Sequence, residues 1–356
     1  MAVRHGYGKI AGTDALVFAY DTGDTRNSYR GEPTTNVYGN WVQYTANSYE
    51  VLDNSTNYVK LLASAGTPWA GRFDTTVSAG TYTLSFQHRT DDGGSNNFNI
   101  DNDTQDNDIW NANITTTTEW QTYTSTKIHT GTGTHSLYFR RNSGAGNIYI
   151  RNVQLELKSH ATPFVKGTRS ATQGLLDLTG NYTIDITNAS FDSSAFITFD
   201  GSGDYLDIQN STSLFSGTQD LTVEAAYSLE GQGGGEIFGN YGSSYATDHL
   251  WFSGMYGIWL NGGVYAPGYP LSNGKYHMVG TRESGVMKLY LNGVLVNSGT
   301  RAASIATDIN YRIGADVNGA SEPFTGDIYV VKAYNRALTA DEVRNNYRHY
   351  KSRFNI

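Results

Sequence analysis

Residues 286–298 read VMKLYLNGVLVNS, with an Asn-Gly pair at 292–293 between two apolar runs. A two-residue type I′ turn needs positive φ at both central positions, which Asn and Gly tolerate best. Leu289, Leu291, Val294 and Val296 fall on one face of the resulting hairpin, opposite Tyr290 and Leu295. Upstream, Leu221, Val223, Ala225, Tyr227 and Leu229 alternate with Thr222, Glu224, Ala226 and Ser228. That period of two describes a half-buried strand. Further strands are expected at 195–199, 205–208, 236–239, 249–253, 256–260, 275–282, 310–314 and 327–334. No long helical pattern separates them, so the sheets should be antiparallel and stacked as a sandwich. One short helix closes the chain: Thr339 and Glu342 fit a capping box, and Leu338 and Val343 a hydrophobic staple. Val343, Tyr347 and Tyr350 then form its apolar seam.

The middle of the chain, about 34–165, carries its own strand series. Tyr82, Leu84, Phe86 and His88 alternate with Thr83, Ser85 and Gln87. Leu137 with Phe139, and Ile148 with Ile150, continue the pattern. Val153, Leu155 and Leu157 follow after a phase change that predicts a β-bulge. The polar stretch 90–108, TDDGGSNNFNIDNDTQDND, reads as mobile loops with one short strand at most. The fold class is therefore all-β, with two antiparallel sandwiches and a short C-terminal helix.

Composition narrows the function. The chain of 356 residues has room for about two domains. Its 26 Tyr and 13% aromatic content are foreign to a disordered chain. A net charge of −8 without a basic block argues against nucleic acid as a partner. The absence of cysteine excludes disulfides, thiolate metal sites and Cys nucleophiles. No apolar run approaches the roughly 18 residues of a membrane span, and the opening MAVRHGYGKIAG lacks the apolar stretch of a secretory signal. Residence in the cytoplasm, or assembly there into a released particle, is the expectation.

Several segments resemble laminin-G-like domains of the concanavalin A-like jelly-roll type: Phe199–Ile208 (FDGSGDYLDI), Leu221–Ala225 (LTVEA), Lys275–Arg282 (KYHMVGTR), Lys288–Asn297 (KLYLNGVLVN), Arg312–Gly314 (RIG) and Phe324–Val343 (FTGDIYVVKAYNRALTADEV). The opening pieces of that pattern are split: Leu16–Asp21 (LVFAYD) and Asn27–Gly31 (NSYRG) lie far from Asp177–Asn181 (DLTGN). An insertion explains the split, since exposed loops accept folded domains whose termini lie close together. The expected organisation is thus 1–33 plus 169–356 for the laminin-G-like sandwich and 34–168 for an inserted jelly roll. The insert resembles the carbohydrate-binding-module-like jelly rolls of phage tail and structural proteins. It does so in Asn36, Trp41, Thr118–Tyr123 (TEWQTY), Ile148–Glu156 (IYIRNVQLE) and Ala161–Arg169 (ATPFVKGTR). The combination resembles virion structural proteins of marine and cyanobacterial phages.

That resemblance implies a non-enzymatic protein of the virion surface, as a capsid decoration or a head or tail fibre or tip knob. Its partners would be other capsid or tail proteins and further copies of itself, with host surface glycans as candidate ligands. The competing reading is a glycan-degrading depolymerase on the same fold, and a third is a secreted lectin. Hydrolases of this fold carry paired carboxylates in an E-x-D-x-x-E spacing. Glu224 instead has Thr222 and Ala226 as its i±2 neighbours and reads as hydrogen-bonded structure. The eight histidines show no zinc spacing. Sugar binding would use aromatic faces, and the candidates are Trp69, Trp110, Tyr241, Tyr245, Tyr256 and Trp259. Trp41, Trp120 and Trp251 occupy positions where sandwich cores commonly take a Trp. No cofactor is required. Asp101, Asp103, Asp106 and Asp108 are the calcium candidates, though they lack the Gly and terminal Glu of an EF-hand loop, and both domain families leave room for structural calcium.

Overall fold

A computed structural model describes residues 15–103, 110–191, 196–231, 235–241, 249–317 and 322–356. The chain divides into two compact units, one of Met1–Glu32 with Ala171–Ile356 and one of Pro33–Ser170. Every strand pairing among the described residues is antiparallel.

In the first unit, one sheet runs Ser190–Phe191, Ile197–Asp200, Thr325–Tyr334, Leu221–Leu229, Gly274–Glu283, Val286–Leu291, Val294–Thr300. The N-terminal strand Leu16–Asp21 pairs with the C-terminal half of Thr325–Tyr334, from Leu16↔Tyr334 to Asp21↔Val330. The facing sheet runs Thr183–Thr187, Tyr205–Gln209, Arg312–Ile313, Glu236–Gly239, Trp251–Ser253, Gly257–Trp259, Gly263–Tyr265. Phe18, Tyr20, Val223 and Met278 from the first sheet share one core with Leu206, Phe238, Phe252 and Ile258 from the second. This is the antiparallel sandwich expected from the alternation, and its jelly-roll type is the one the laminin-G-like resemblance implied.

The Asn292-Gly293 turn forms as the sequence dictates, with φ of 50° and 77°. A register shift between Leu289 and Tyr290 then sets Leu289 opposite Asn297, so the four-residue apolar face expected around the turn is broken. Leu289 is buried, whereas Val294 is 63% exposed.

The Leu221–Leu229 strand differs from its half-buried expectation, because all nine residues are buried. The capped helix Ala340–Phe354 covers its polar face, with the capping box at Thr339 and Glu342 in place. Arg336 binds the Glu342 carboxylate and holds it at a pKa of about 2. The buried helix positions are Val343, Asn346, Tyr350 and Phe354. Asn346 takes the place expected for Tyr347 because its amide donates to Glu224 Oε2 at 3.0 Å. Glu224 is fully buried. His277 Nε2 lies 2.8 Å from its Oε1, and the Tyr334 hydroxyl donates to Oε2 at 3.1 Å. Burial opposes ionisation, but His277 and the nearby Lys332 outweigh it and hold the carboxyl below its ordinary value.

The two parts of this unit's chain are stitched at Asp177. Its Oδ1 accepts from Ala19 N at 3.0 Å, and Leu178 N donates to Ala19 O at 2.8 Å. Leu176 N donates to Ser28 O, and Arg30 N to Gly174 O, both at 2.8 Å.

The second unit is also a sandwich. One sheet runs Gln121–His129, Gly80–Thr90, Ile148–Glu156, Tyr58–Leu61, Tyr49–Asp53; the other runs Val42–Gln43, Trp69–Val77, Gly133–Ser143, Asn96–Asp103, Ala112–Thr116. The bulge expected after Ile150 sits at Asn152, with φ of 56° and a register shift between Arg151 and Gln154. It turns Val153 and Leu155 into the core, while Leu157 lies outside it at 55% exposed. The polar stretch after Thr90 holds a full strand, Asn96–Asp103, longer than its sequence suggested. At the unit's ends, Thr34–Thr35 pairs with Thr168–Arg169.

Adjacent ends make the second unit removable. Replacing residues 33–170 with a short Gly-Ser linker is expected to leave the first unit folded, with its own cooperative thermal transition. A molten product by near-ultraviolet circular dichroism would contradict this.

Candidate functional site

The edge of the seven-stranded sheet is a short meander in which alternation sorts the side chains. Phe252, Ile258 and Val264 point into the core and are at most 2% exposed. Trp251 and Trp259, directly opposed across their strands, take the outer face with Gly263. Gly257 has φ of 133°, and a Cβ there would lie 2.4 Å from Val264 O, so only glycine fits the tight pairing. The Tyr265 ring folds back over Gly263 in space that a Cβ would occupy.

These strands build a pocket of about 170 Å³ lined by Tyr241, Trp251, Trp259, Tyr265 and Glu322. Tyr241 meets Trp259 edge-on at 6.0 Å. The aromatic lining continues outward as Trp251–Tyr256 at 5.7 Å, Tyr256–Tyr269 at 6.0 Å and Tyr265–Tyr269 at 4.9 Å. Glu322 adds a carboxyl to this aromatic wall. Trp251 Nε1 is buried with no hydrogen-bond partner among the described residues. Glu322 sits in left-handed backbone at φ of 58°, and burial, with Asp316 nearby, raises its carboxyl pKa. Flat aromatic faces beside a carboxyl suit a sugar ring, whose C–H faces stack while a hydroxyl bonds to the acid.

Of the sequence candidates, the structure brings Tyr241 and Trp259 together in the pocket, with Tyr256 beside it. Tyr245 lies outside the described residues. Trp110 is a correction: at 1% exposed it belongs to the second unit's core, edge-on to His135, and offers no face to a ligand. Trp69 is half-buried on the outer face of its sheet, beside Tyr138 and under the Arg140 guanidinium. Trp41 packs against that core as expected, on Phe73 and Phe139. Trp251 and Trp120 do not: Trp251 lines the pocket, and Trp120 lies under the guanidiniums of Arg89 and Arg151. Trp251 was legible from its period-two phase with Phe252. Trp120 precedes its strand, where no alternation fixes a side.

The calcium candidates Asp101 and Asp103 sit on the Asn96–Asp103 strand, and Asp106 and Asp108 lie outside the described residues. Among the described residues no group of three His, Asp or Glu side chains is placed to hold a metal ion. Behind the pocket, Glu236 is fully buried and neither carboxylate oxygen has a hydrogen-bond partner among the described residues. Burial, followed by the charges of Asp316 and Glu322, raises its pKa well above the ordinary value.

The architecture is that of a jelly-roll sandwich with an aromatic pocket at one sheet edge. Residues 200–344 match the laminin-G-type family model of the concanavalin A-like lectin/glucanases superfamily. No curated protein matches. Among solved structures, the chain is similar to the botulinum neurotoxin serotype D binding domain (TM-score 0.37, 16% identity, 51% of this chain and 50% of that one). It is also similar to domain 4 of a GH43 arabinanase from Geobacillus stearothermophilus (0.34, 17%, 49% and 92%). A third is a CBM4 structure (0.25, 21%, 39% and 85%). The chain spans about half the length of the toxin binding domain it matches, and none of the three is close enough to carry a function across.

The buried Glu236 makes a pH prediction. Its folded pKa exceeds the unfolded one, so its contribution is fully present below the ordinary Glu pKa and is lost as pH rises through the folded value. Glu236→Gln removes that loss. In thermal unfolding, the variant's advantage should be smallest near about pH 4 and grow toward about pH 8. A parent more stable than the Gln variant at the higher pH would contradict this reading.

Proposed function

We propose that the protein is a non-enzymatic, glycan-binding component of a phage particle surface, acting as a capsid decoration or a fibre or tip knob. The observation that carries the glycan reading is the open pocket walled by Trp251, Trp259, Tyr241 and Tyr265 with Glu322 at its rim. The virion reading draws on the two-domain combination and on the resemblance of the closing NVQLE and ATPFVKGTR segments to phage structural proteins. Partners in that setting are other capsid or tail proteins and copies of the same chain arranged by the particle's symmetry. The proposal requires no cofactor.

The placement of the acids supports a binding role over hydrolysis. A glycosidase needs two carboxyl groups about 5–10 Å apart, both facing the substrate. Glu224 is sealed beneath the helix by His277, Tyr334 and Asn346. Glu236 is fully buried, leaving Glu322 as the one acid in the pocket lining among the described residues.

Trp259→Ala is expected to weaken binding of the best ligand on a glycan array by about tenfold, the scale of one lost stacking partner. Its thermal midpoint should stay close to the parent's. Unchanged binding, or no array ligand at all, would contradict the pocket's role. Hydrolysis of an array ligand that Glu322→Gln abolishes would instead establish the depolymerase reading. Mass spectrometry of purified particles should find the chain in the mature virion, and its absence there would contradict the virion reading.

A further inference from the structure

We propose that the second unit carries a separate site for an acidic sugar, centred on Arg89 and Arg151. The Gly80–Thr90 and Ile148–Glu156 strands are hydrogen-bonded neighbours, with Arg89 opposite Tyr149 and Arg151 opposite Gln87. Alternation sends Phe86, Ile148 and Ile150 to the core and leaves these four on the outer face. Both guanidiniums lie over one indole: Arg151 Cζ is 3.8 Å and Arg89 Cζ 5.2 Å from the Trp120 ring centroid. Arg89 also sits 4.7 Å from the Tyr149 ring. All five residues are partly exposed.

The unusual feature is the missing counter-charge. Two like charges share a small area, and among the described residues neither has a carboxylate partner. Arg151 Nε donates to the neutral Gln87 Oε1 at 2.9 Å, and Arg89 Nε is buried with no acceptor. The neighbouring acids are otherwise engaged: Asp91 accepts from Asn147 and Tyr149, and Glu50 pairs with Lys60. On the unit's other sheet Arg72 is neutralised by Asp74, so that face lacks the same pair. With Arg151 Nε taken by Gln87 and Arg89 Nε buried, the terminal Nη1 and Nη2 groups of each guanidinium form the fork left to an anion. A planar carboxylate or a sulfate would accept two parallel bonds from such a fork and relieve the repulsion between the arginines. The aromatic rings alongside supply a stacking surface for the ring that bears the acid. The chain's net charge of −8 repels polyanions overall, so binding has to come from this local pair.

The site uses no residue of the aromatic pocket, so the two can fail independently. The test is binding of the full chain at low salt to alginate (carboxylates alone), dextran sulfate (sulfates alone), unmodified dextran and a single-stranded oligothymidylate. At least one acidic polysaccharide should bind ten or more times tighter than dextran, and the tighter of the two names the acid group. Arg89→Gln and Arg151→Gln should each weaken it about tenfold. Arg151→Lys, which keeps the charge and loses the fork, should weaken it too and guards against a folding defect in the Gln variants. Lys127→Gln, the same charge change at an exposed position of the same unit, should have less than about a twofold effect. Equal binding of dextran, no polyanion binding, an equal loss in Lys127→Gln, or preference for the oligothymidylate would each overturn the proposal.

Discussion

Residues Leu16–Asp21 reach across the whole length of the chain to pair with Thr325–Tyr334, and the first unit is built around that pairing. Phe18 and Tyr20 enter the shared core, while Asp21 forms an ion pair with Arg353 near the end of the C-terminal helix. The strand therefore ties the sandwich interior to the helix on its outer face. Because the partner segment around Asp177 comes from beyond the second unit, the sandwich cannot close until both segments are present. The inserted unit meets the matching requirement locally, since its first and last strands pair with each other. Only an independently folding insert with adjacent termini leaves this closure undisturbed.

The helix over Leu221–Leu229 shows how burial changes chemistry. Thr222, Glu224 and Ser228 would be ordinary solvent-facing residues on a bare sheet. Covered, each takes a hydrogen bond, and Glu224 holds three partners from two strands and the helix. A lone carboxylate in that position is a fastening between layers and is lost to catalysis. The aromatic-rich meander on the opposite sheet carries the pocket on which the proposed glycan reading rests.

Much of the fold is local and was legible. Asn292-Gly293, the Thr339–Glu342 capping box and the phase change at Asn152 each specify their geometry within a few residues. What could not be read depends on distant partners. The full burial of Leu221–Leu229 requires a helix more than a hundred residues later, and the same contact places Asn346 where Tyr347 was expected. The strand Asn96–Asp103 has only Phe98 and Ile100 as inward apolar residues among Asn and Asp, so its sequence carries little signal. Aromatics were the least legible. Trp110 lies in a stretch rich in Asn and Asp yet is core, whereas Trp259 lies between Ile258 and Leu260 yet lines the pocket. Trp120 is defined by arginines from two other strands.

The account stands on the borrowed strand, and amide hydrogen exchange of the full chain reads it directly. The Leu16–Asp21 amides bonded to Thr325–Tyr334 should exchange slowly, and should open together with that strand as denaturant is raised. Fast exchange at residues 16–21, or opening together with the Pro33–Ser170 unit, would contradict the account.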